Sequence, residues 1–301
     1  MTDLPTPLPK DYRAGYVAVV GMPNVGKSTL MNEFLDHKLS IVTRKPQTTR
    51  RSVLGILNEP SFQMIFIDTP GILNPRYDLQ KAMMRYVEDA IKDADALLYL
   101  IDATKGRDTW ETMREQLKNV KKPVVLGLNK IDLVDTKYLL PMIEALGKLH
   151  PFKAIIPLSA LKQNGTDELV EELAACLPFS PPFYPTDEIS DQQVRFFVAE
   201  IIREKVFELY SDEIPYSSHV EIEQYKVRKN GQVYIEAVVL VEKDSQKGIV
   251  IGKGGDAIKR VGQSARRDIE AFIDSKVYLQ LYVRVAPDWR KKENQLRKLG
   301  Y

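Results

Sequence analysis

A glycine-rich segment near the start of the chain has the residue types that bind phosphate groups. It runs from Gly21 to Ser28 and fits the pattern G-x-x-x-x-G-K-S. In such a loop the backbone N–H groups surround the phosphates, the lysine reaches the outer phosphates and the serine hydroxyl holds Mg²⁺. Lys27 and Ser28 occupy those two positions. The segment therefore predicts a site for a nucleoside phosphate and magnesium.

Two more motifs follow apolar runs that are typical of buried strands. Asp68-Thr-Pro-Gly71 comes after the run 62–67. A carboxylate at this strand end reaches Mg²⁺ directly or through water, and the N–H of Gly71 is available to the γ-phosphate. Asn129-Lys-Ile-Asp132 comes after the run 124–128, and its carboxylate suits the N1–H and 2-amino donors of guanine. Because adenine lacks both donors, this motif predicts selectivity for guanine.

Two other segments supply candidate contacts. Ser159 and Ala160 follow the apolar run 154–158, which suits a backbone N–H contact to guanine O6. The segment Gln47-Thr-Thr-Arg-Arg51 offers a threonine hydroxyl to complete the Mg²⁺ shell, and we favour Thr49 over Thr48. The preceding residues 40–46 are polar and basic, which suits a loop that orders with GTP and relaxes after hydrolysis. A plain basic surface loop is the alternative interpretation.

The residue after Gly71 is Ile72, at the position where Ras-like enzymes have a water-orienting glutamine. We therefore expect slow basal turnover, with the water positioned by backbone, a distant residue, a bound ion or a partner. Asn24 is a candidate ligand for K⁺ near the β- and γ-phosphates. The alternative is that its side chain only stabilises the loop.

The motifs together define the candidate site residues. The predicted nucleotide-binding residues are Gly21, Met22, Pro23, Asn24, Val25, Gly26, Lys27, Ser28, Thr29, Asp68, Thr69, Pro70, Gly71, Asn129, Lys130, Ile131, Asp132, Ser159 and Ala160. The predicted Mg²⁺ ligands are Ser28, Thr49 and Asp68, and the residues with predicted catalytic roles are Lys27, Thr49 and Gly71.

The elements that position these motifs alternate between strands and helices. Apolar runs of strand type alternate with amphipathic segments at 79–92, 109–120 and 137–149. This alternation predicts an α/β domain built on a mostly parallel six-stranded sheet. The strand at 52–57 is separated from the strand at 62–67 by only a few residues, so that pair predicts a hairpin and one antiparallel edge strand.

A proline-rich segment divides the chain. Four prolines fall between Pro178 and Pro185, and they exclude regular helix and central strand. We predict a P-loop GTPase domain at 14–177, a semi-rigid linker at 178–190 and a second domain at 191–301. The second domain has the element order α-β-β-α-α-β, with helix 192–209, strands 217–226 and 232–241, a helical stretch and a last strand. Asn230-Gly231 is a hairpin turn signal between its first two strands.

A G-x-x-G loop opens a helix of the second domain. KH domains use such a loop to clamp about four nucleotides of single-stranded RNA. The residues from Asp191 onward carry a net charge of +3 and the remainder −1, and basic residues crowd this loop and its helix. The strip predicts salt-dependent binding of RNA phosphates; the alternative is a solvated helix face. The predicted RNA-binding residues are Ile251, Gly252, Lys253, Gly254, Gly255, Lys259 and Arg260.

The composition bounds the remaining possibilities. Cys176 is the only cysteine, which excludes an intrachain disulfide and favours a reducing compartment. The N-terminal residues 1–9 lack the basic and apolar regions of a signal peptide, and no apolar run approaches the length of a membrane span. A second basic cluster, at 290–292 with Arg297 and Lys298, suits either RNA backbone or anionic lipid.

Taken as a whole, the sequence closely resembles the Era family of bacterial GTPases, which carry a C-terminal type II KH domain. The resemblance spans nearly the whole chain. It rests on the segments 21–28, 47–50, 68–71, 129–132, 201–205, 213–216, 250–255 and 299–301. It implies Mg²⁺-dependent hydrolysis of GTP to GDP, binding of the 3′ end of 16S rRNA and a role in maturation of the small (30S) ribosomal subunit. It further implies a cytoplasmic protein with peripheral contact to the inner membrane, and we expect a monomer.

An alternative of a different class stays open at this point. In it the chain is a GTP-dependent docking switch whose C-terminal domain binds a protein or a membrane surface. An ATP-using kinase or motor is disfavoured because the motif 129–132 suits guanine.

Overall fold

The computed structural model describes residues 9–37, 39–43 and 45–301. The N-terminal residues 1–8, on which most of the signal-peptide argument rests, and Arg44 of the predicted basic loop lie outside them. The described residues divide into two units. The first contains 49–73, 84–191 and the described part of 1–37; the second contains 74–83, 192–301 and the described part of 38–48.

The first unit is built on one sheet of six strands among the described residues. The strands are β1 Arg13–Val20, β2 Val53–Glu59, β3 Phe62–Asp68, β4 Ala96–Asp102, β5 Val124–Asn129 and β6 Ala154–Pro157. They lie in the order β2-β3-β1-β4-β5-β6, and only the β2–β3 pair is antiparallel. The predicted fold class of this domain is confirmed, including the antiparallel edge strand.

Within the part of the chain that the structure describes, five α-helices connect or flank these strands. They are α1 Lys27–Phe34, α2 Asp78–Asp93, α3 Arg107–Leu117, α4 Leu139–Gly147 and α5 Thr166–Cys176. The division between the units passes through α2, between Met83 and Met84. The segment predicted as a helix over 137–149 begins instead with a 3₁₀ turn at Thr136–Tyr138. Pro141 then lies in the first turn of α4, where a missing N–H removes no helical hydrogen bond.

Burial explains why the strands are continuous apolar runs. All seven residues of β4 are buried, because both faces of a parallel sheet are covered. On β3, the ring of Phe66 stacks on Phe34 of α1 with their centroids 5.0 Å apart. This packing holds α1, which begins at the end of the glycine-rich segment, against the sheet.

The proline-rich segment lies along the first unit. The backbone N–H of Tyr184 donates to Oε1 of the buried Gln63 over 2.9 Å, and the Gln63 amide nitrogen donates to the Tyr184 carbonyl over 2.8 Å. The N–H of Ile56 in β2 donates to the carbonyl of Ile189 over 2.9 Å. The residues predicted as a linker are therefore held on β2 and β3 by hydrogen bonds.

The second unit contains a sheet of three strands in its described residues. Its elements are α6 Val194–Leu209, α7 Ile214–Ser217, β7 His219–Val227, β8 Val233–Val241, α8 Asp244–Ile251, α9 Asp256–Ile273, β9 Val277–Val285 and α10 Glu293–Lys298. Strand β7 pairs antiparallel with β8, and β9 pairs parallel with β8. The predicted order α-β-β-α-α-β is present, with the short α7 and α10 added.

One face of this sheet carries the core of the second unit. Ile202 of α6, Ile235 of β8 and Val261 of α9 are among its fully buried members. Among the helices of the described residues, none is long and apolar enough to cross a membrane.

Candidate functional site

The glycine-rich segment connects β1 to α1 and curls around its own lysine. Nζ of Lys27 donates to the carbonyl oxygens of Gly21 and Met22, each over 3.0 Å. Burial lowers the pKa of the Lys27 ammonium to about 8, against the opposing effect of the Asp68 carboxylate. Phosphate groups beside this ammonium would favour its charged form. The loop therefore presents a cation at the start of a helix, where anions bind.

The side chain of Asn129 leaves no room for a Cβ at Gly26. The φ of Gly26 is +103°, and a Cβ at this position would lie 2.2 Å from Nδ2 of Asn129. Asn129 is buried, and its Nδ2 donates to the carbonyl of Val25 over 2.8 Å. Its Oδ1 accepts from the N–H of Ala160 over 3.0 Å. Asn129 therefore ties the phosphate loop to the loop at Ala160, a scaffolding role that sequence reasoning missed.

The side-chain oxygen atoms of three residues lie close together at the start of α1. The hydroxyl oxygen of Ser28 lies 3.0 Å from that of Thr49 and 3.3 Å from Oδ2 of Asp68. Hydroxyl and carboxylate oxygens are the ligands that Mg²⁺ prefers, so the donor set fits this ion. Of the two threonines left open by the sequence, Thr49 is the one whose hydroxyl lies beside Ser28.

The motif that begins with Asp68 also serves the fold. The hydroxyl of the buried Thr69 donates to the carbonyl of Val19 over 2.6 Å, so this hydroxyl has its hydrogen-bond partner within the protein. A Cβ on Gly71 would lie 2.7 Å from Cα of Pro23. Ile72 donates its N–H to the Gly21 carbonyl over 3.0 Å and packs its side chain against the core. An apolar contact thus occupies the position of the water-orienting glutamine in Ras-like enzymes.

The predicted guanine-reading residues lie at the ends of β5 and β6. Asp132 is exposed, and its Oδ1 accepts a hydrogen bond of 2.6 Å from the hydroxyl of Ser159. This contact orients the carboxylate. Lys130 has a left-handed backbone, with φ of +66°. Its Nζ donates to the carbonyl of Asn24 over 2.7 Å, which joins this motif to the phosphate loop.

Asp102 is a site residue that sequence reasoning missed. Its Oδ2 lies 2.7 Å from Nζ of Lys130, and its Oδ1 accepts from the N–H and hydroxyl of Thr104. Burial acts to raise the pKa of Asp102, but the hydrogen bonds from Lys130 and Thr104 outweigh it and the net pKa is lowered. The available signal was its position, because β4 ends beside β1 and β5 at the carboxyl edge where α/β sheets bind ligands.

The G-x-x-G loop of the second unit lies between α8 and α9. Gly252 has φ of +75°, and a Cβ there would lie 2.6 Å from Cβ of Ala257 in the first turn of α9. Lys253, Lys259 and Arg260 are exposed on this loop and helix. Ile249 of α8 is also exposed, to 54%. The structure therefore places an apolar side chain and several cations near one loop, which suits a single-stranded nucleic acid.

Part of the second basic cluster has partners within the protein. Arg290 pairs with the buried carboxylate of Glu242 and lies over the ring of Tyr77, 5.0 Å from its centroid. Lys292 donates to the carbonyl of Pro287, and Arg297 pairs with Glu293. Arg290 therefore serves the fold, which removes one of the charges that the sequence offered to RNA or lipid.

Known proteins are similar to this chain in both units. A family model described as a 50S ribosome-binding GTPase matches residues 16–130, and a KH domain model matches residues 213–290. The GTPase Era of Geotalea uraniireducens is 47% identical over 293 residues, which cover 97% of this chain and 99% of that protein.

Two solved structures are similar over both units. A variant of Aquifex aeolicus Era bound to GDP and aluminium fluoride has a TM-score of 0.92 and 40% identity, covering 96% of this chain and 99% of that one. Era in complex with MgGDPNP and nucleotides 1506–1542 of 16S ribosomal RNA has a TM-score of 0.91 and 40% identity, with the same coverage. The similarity thus includes the phosphate loop and the G-x-x-G loop.

Proposed function

The chain belongs to the Era family of GTPases, and from this premise we propose that it binds the 3′ end of 16S ribosomal RNA and acts in maturation of the small ribosomal subunit. The observation that carries the proposal is that one chain contains a GTPase site and a G-x-x-G loop bordered by exposed cations. The relative solved with MgGDPNP and nucleotides 1506–1542 of 16S ribosomal RNA supports the choice of RNA.

Hydrolysis follows from the chain's own groups. Lys27 offsets charge on the outer phosphates, and Asp132 selects the guanine base. Ser28, Thr49 and Asp68 would hold Mg²⁺, which shields the charge that develops on the phosphate oxygens. Water attacks the γ-phosphorus in line with the bond to the bridging oxygen, that bond breaks, and the products are GDP and phosphate.

The basal rate should be slow, because the core-packed side chain of Ile72 cannot orient the attacking water. Asn24 is our candidate for a K⁺ ligand, since it is exposed in the phosphate loop with φ of +63°. An ion there would supply positive charge at the phosphates. Turnover that is equal in potassium and sodium buffers would exclude this part of the proposal.

The proposal also covers location and assembly. We propose a monomer in the cytoplasm that contacts the inner membrane peripherally. Because Arg290 is held in an ion pair with Glu242, the basic cluster at the end of this unit offers one charge fewer to an anionic membrane surface.

The test is an RNA-binding measurement with the full chain, because residues 74–83 and the described part of 38–48 belong to the second unit. A 16S rRNA 3′-terminal oligonucleotide is compared with a scrambled oligonucleotide at two salt concentrations. Tight, sequence-dependent binding supports the proposal. Equal, weak binding of both with a steep salt dependence would indicate nonspecific charge and reject it.

A further inference from the structure

The last residue of β4, Asp102, lies next to the guanine-recognition motif on the same sheet. It pairs with Asn129 in the parallel register of β4 and β5, and the N–H of Ala103 donates to the Asn129 carbonyl over 2.8 Å. Asp102 is only 5% exposed. Its carboxylate is therefore carried by a rigid part of the first unit, and Lys130 and Thr104, which bond this carboxylate, belong to the same unit.

Thr104 sets the orientation of the Asp102 carboxylate. Oδ1 of Asp102 accepts from the N–H of Thr104 over 2.9 Å and from its hydroxyl over 2.6 Å. The other carboxylate oxygen, Oδ2, lies 2.7 Å from Nζ of Lys130. The buried carboxylate is thus oriented in advance as the acceptor of a charge-assisted hydrogen bond from one ammonium group.

Lys130 has a backbone conformation that a residue with a side chain rarely adopts. Its φ is +66°, and φ of Asn24, its partner in the phosphate loop, is +63°. Such conformations cost energy and persist where the surrounding structure holds them, which is typical of functional sites. Here hydrogen bonds hold them, because Nζ of Lys130 donates to the Asn24 carbonyl over 2.7 Å and to Asp102.

Packing alone does not hold the Lys130 ammonium. The Lys130 side chain is 31% exposed, and it lines a cavity of about 260 Å³ together with residues such as Met22 and Ile101. Without the negative charge of Asp102, this flexible side chain is free to turn its ammonium into the open space and into water. The carboxylate is therefore the group that keeps Nζ on the Asn24 carbonyl.

A guanine nucleotide binds the base-recognition motif and the phosphate loop at once, so the separation of the two loops matters for affinity. This separation must match the distance between the base and the phosphates within one ligand. A contact that sets the separation before the nucleotide arrives reduces the ordering cost of binding. The hydrogen bond from Lys130 to the Asn24 carbonyl is such a contact, and Asp102 maintains it.

We propose that Asp102 is a positioning residue for guanine nucleotides, which acts by holding Lys130 on the phosphate loop, and that Thr104 supports it by orienting the carboxylate. The proposal rests on the GTP-binding function of this unit and on the assignment of the motif 129–132 to the base. Asp102 and Thr104 both lie outside the sequence motifs of the unit. Because the contact exists before the γ-phosphate binds, it serves GDP and GTP alike.

The experiment uses three single variants of the full chain: Asp102→Asn, Thr104→Val and the control Asp89→Asn. Asp102→Asn keeps the shape of the side chain and removes the charge that pairs with Lys130. Thr104→Val removes the hydroxyl donor and keeps the backbone N–H donor. Because Thr104 is exposed, Thr104→Val carries the test if Asp102→Asn does not fold. Asp89→Asn removes the same charge from an exposed position of α2 in the same unit.

We expect the dissociation rate of GDP, followed with a fluorescent GDP analogue, to rise about tenfold in Asp102→Asn and about threefold in Thr104→Val. KM for GTP should rise in the same order. At saturating GTP, kcat should stay within about twofold of wild type, because Lys27 and Ser28 are unchanged. Asp89→Asn should match wild type. A variant that only reduced the folded fraction would lower kcat and leave KM unchanged, so this split separates positioning from a loss of fold.

A double-mutant cycle with Lys130→Met tests whether Asp102 acts through Lys130. If it does, adding Asp102→Asn to Lys130→Met raises the GDP dissociation rate no further. Independent, multiplicative effects would overturn the proposal, as would GDP dissociation rates in the folded test variants that equal the rate in Asp89→Asn. A wild-type chain that binds no guanine nucleotide would instead refute the function on which the proposal rests.

Discussion

Nδ2 of Asn129 donates to the backbone carbonyl of Val25 over 2.8 Å, so the guanine-recognition motif and the phosphate loop are joined by one buried side chain. The opposite end of the same amide accepts from the N–H of Ala160 over 3.0 Å. Base and phosphate recognition therefore depend on one another through a residue that holds three loops in register. This arrangement has a consequence for stability even without a nucleotide.

Asn129→Ala should destabilise the nucleotide-free protein. The substitution leaves the Val25 carbonyl and the Ala160 N–H without their partner, and each buried group left unpaired costs about 1–3 kcal/mol. We expect the free energy of unfolding, measured with urea, to fall by at least about 1–3 kcal/mol. Asn119→Ala, at an exposed position after α3, is the matched control. A change as small as the control's would show that Asn129 does not join the loops.

Asp132→Asn should change which base is preferred. In our assignment the carboxylate would accept from two donors of guanine, whereas an amide offers one acceptor and one donor, which suits the 2-oxo group of xanthine. We expect GTP affinity to fall by at least about a hundredfold and xanthosine triphosphate to become the better ligand. The measurement is a competition titration with both nucleotides.

Ser159→Ala is the control for this substitution. It removes the 2.6 Å hydrogen bond that orients Asp132 but leaves the carboxylate in place. It should weaken GTP binding without creating a preference for xanthosine triphosphate. An unchanged GTP preference in Asp132→Asn would refute the assignment of Asp132 to the base.

The sequence was sufficient to predict the elements that are defined by local patterns. Apolar runs such as 124–128 predicted strands because a buried parallel strand is apolar on both faces. The short connection between β2 and β3 predicted their antiparallel pairing, which is confirmed. The motifs with fixed spacing, at 21–28 and 129–132, identified the ligand because the residues of each motif lie together in a single loop.

Contacts between distant segments could not be predicted in the same way. In the sequence nothing distinguishes Asp102 from other residues at strand ends. In the structure its Oδ2 lies 2.7 Å from Nζ of Lys130. Nothing in the sequence indicated that Lys45, in the basic loop before Thr49, donates to the carbonyls of Phe207 and Tyr210, more than 160 positions away. The sequence placed Arg290 in a basic cluster suited to RNA or lipid, and it could not show the ion pair with the buried Glu242, 48 positions away.

Asp102→Asn should alter the pH dependence of stability. The pKa of Asp102 is lowered from its ordinary value of 3.8 because hydrogen bonds from Lys130 and Thr104 outweigh burial. The ionised carboxylate therefore stabilises the folded state above pH 3.8, and this contribution is lost as the pH falls through the lower folded-state pKa. At pH 7 we expect the variant to lose about 1–2 kcal/mol of unfolding free energy.

The check is urea unfolding at several pH values between 7 and 3. The gap between wild type and Asp102→Asn should narrow as the pH is lowered toward and below 3.8. Asp89→Asn, at an exposed position of α2, should show no such gap. A gap for Asp102→Asn that stays constant with pH would mean that the charge of Asp102 does not contribute.

Gly254→Asp should weaken RNA binding beyond what its backbone strain alone would cause. Gly254 lies in the G-x-x-G loop with φ of +61°, and a Cβ there meets no atom within 4 Å among the described residues. The new carboxylate would stand beside Lys253 and repel the RNA phosphates. We expect affinity for the 16S rRNA 3′-terminal oligonucleotide to fall at least about tenfold at fixed salt, with GTP turnover unchanged in the absence of RNA.

Gly231→Asp is the matched control for this substitution. Gly231 has φ of +81° in the turn between β7 and β8, and a Cβ there also meets no described atom within 4 Å. The two variants therefore share the backbone strain and the added charge but differ in their distance along the chain from the loop. If both lose RNA affinity equally, the effect is one of net charge. If neither loses it, the loop does not bind the RNA backbone, because a carboxylate at the point of contact cannot be tolerated there.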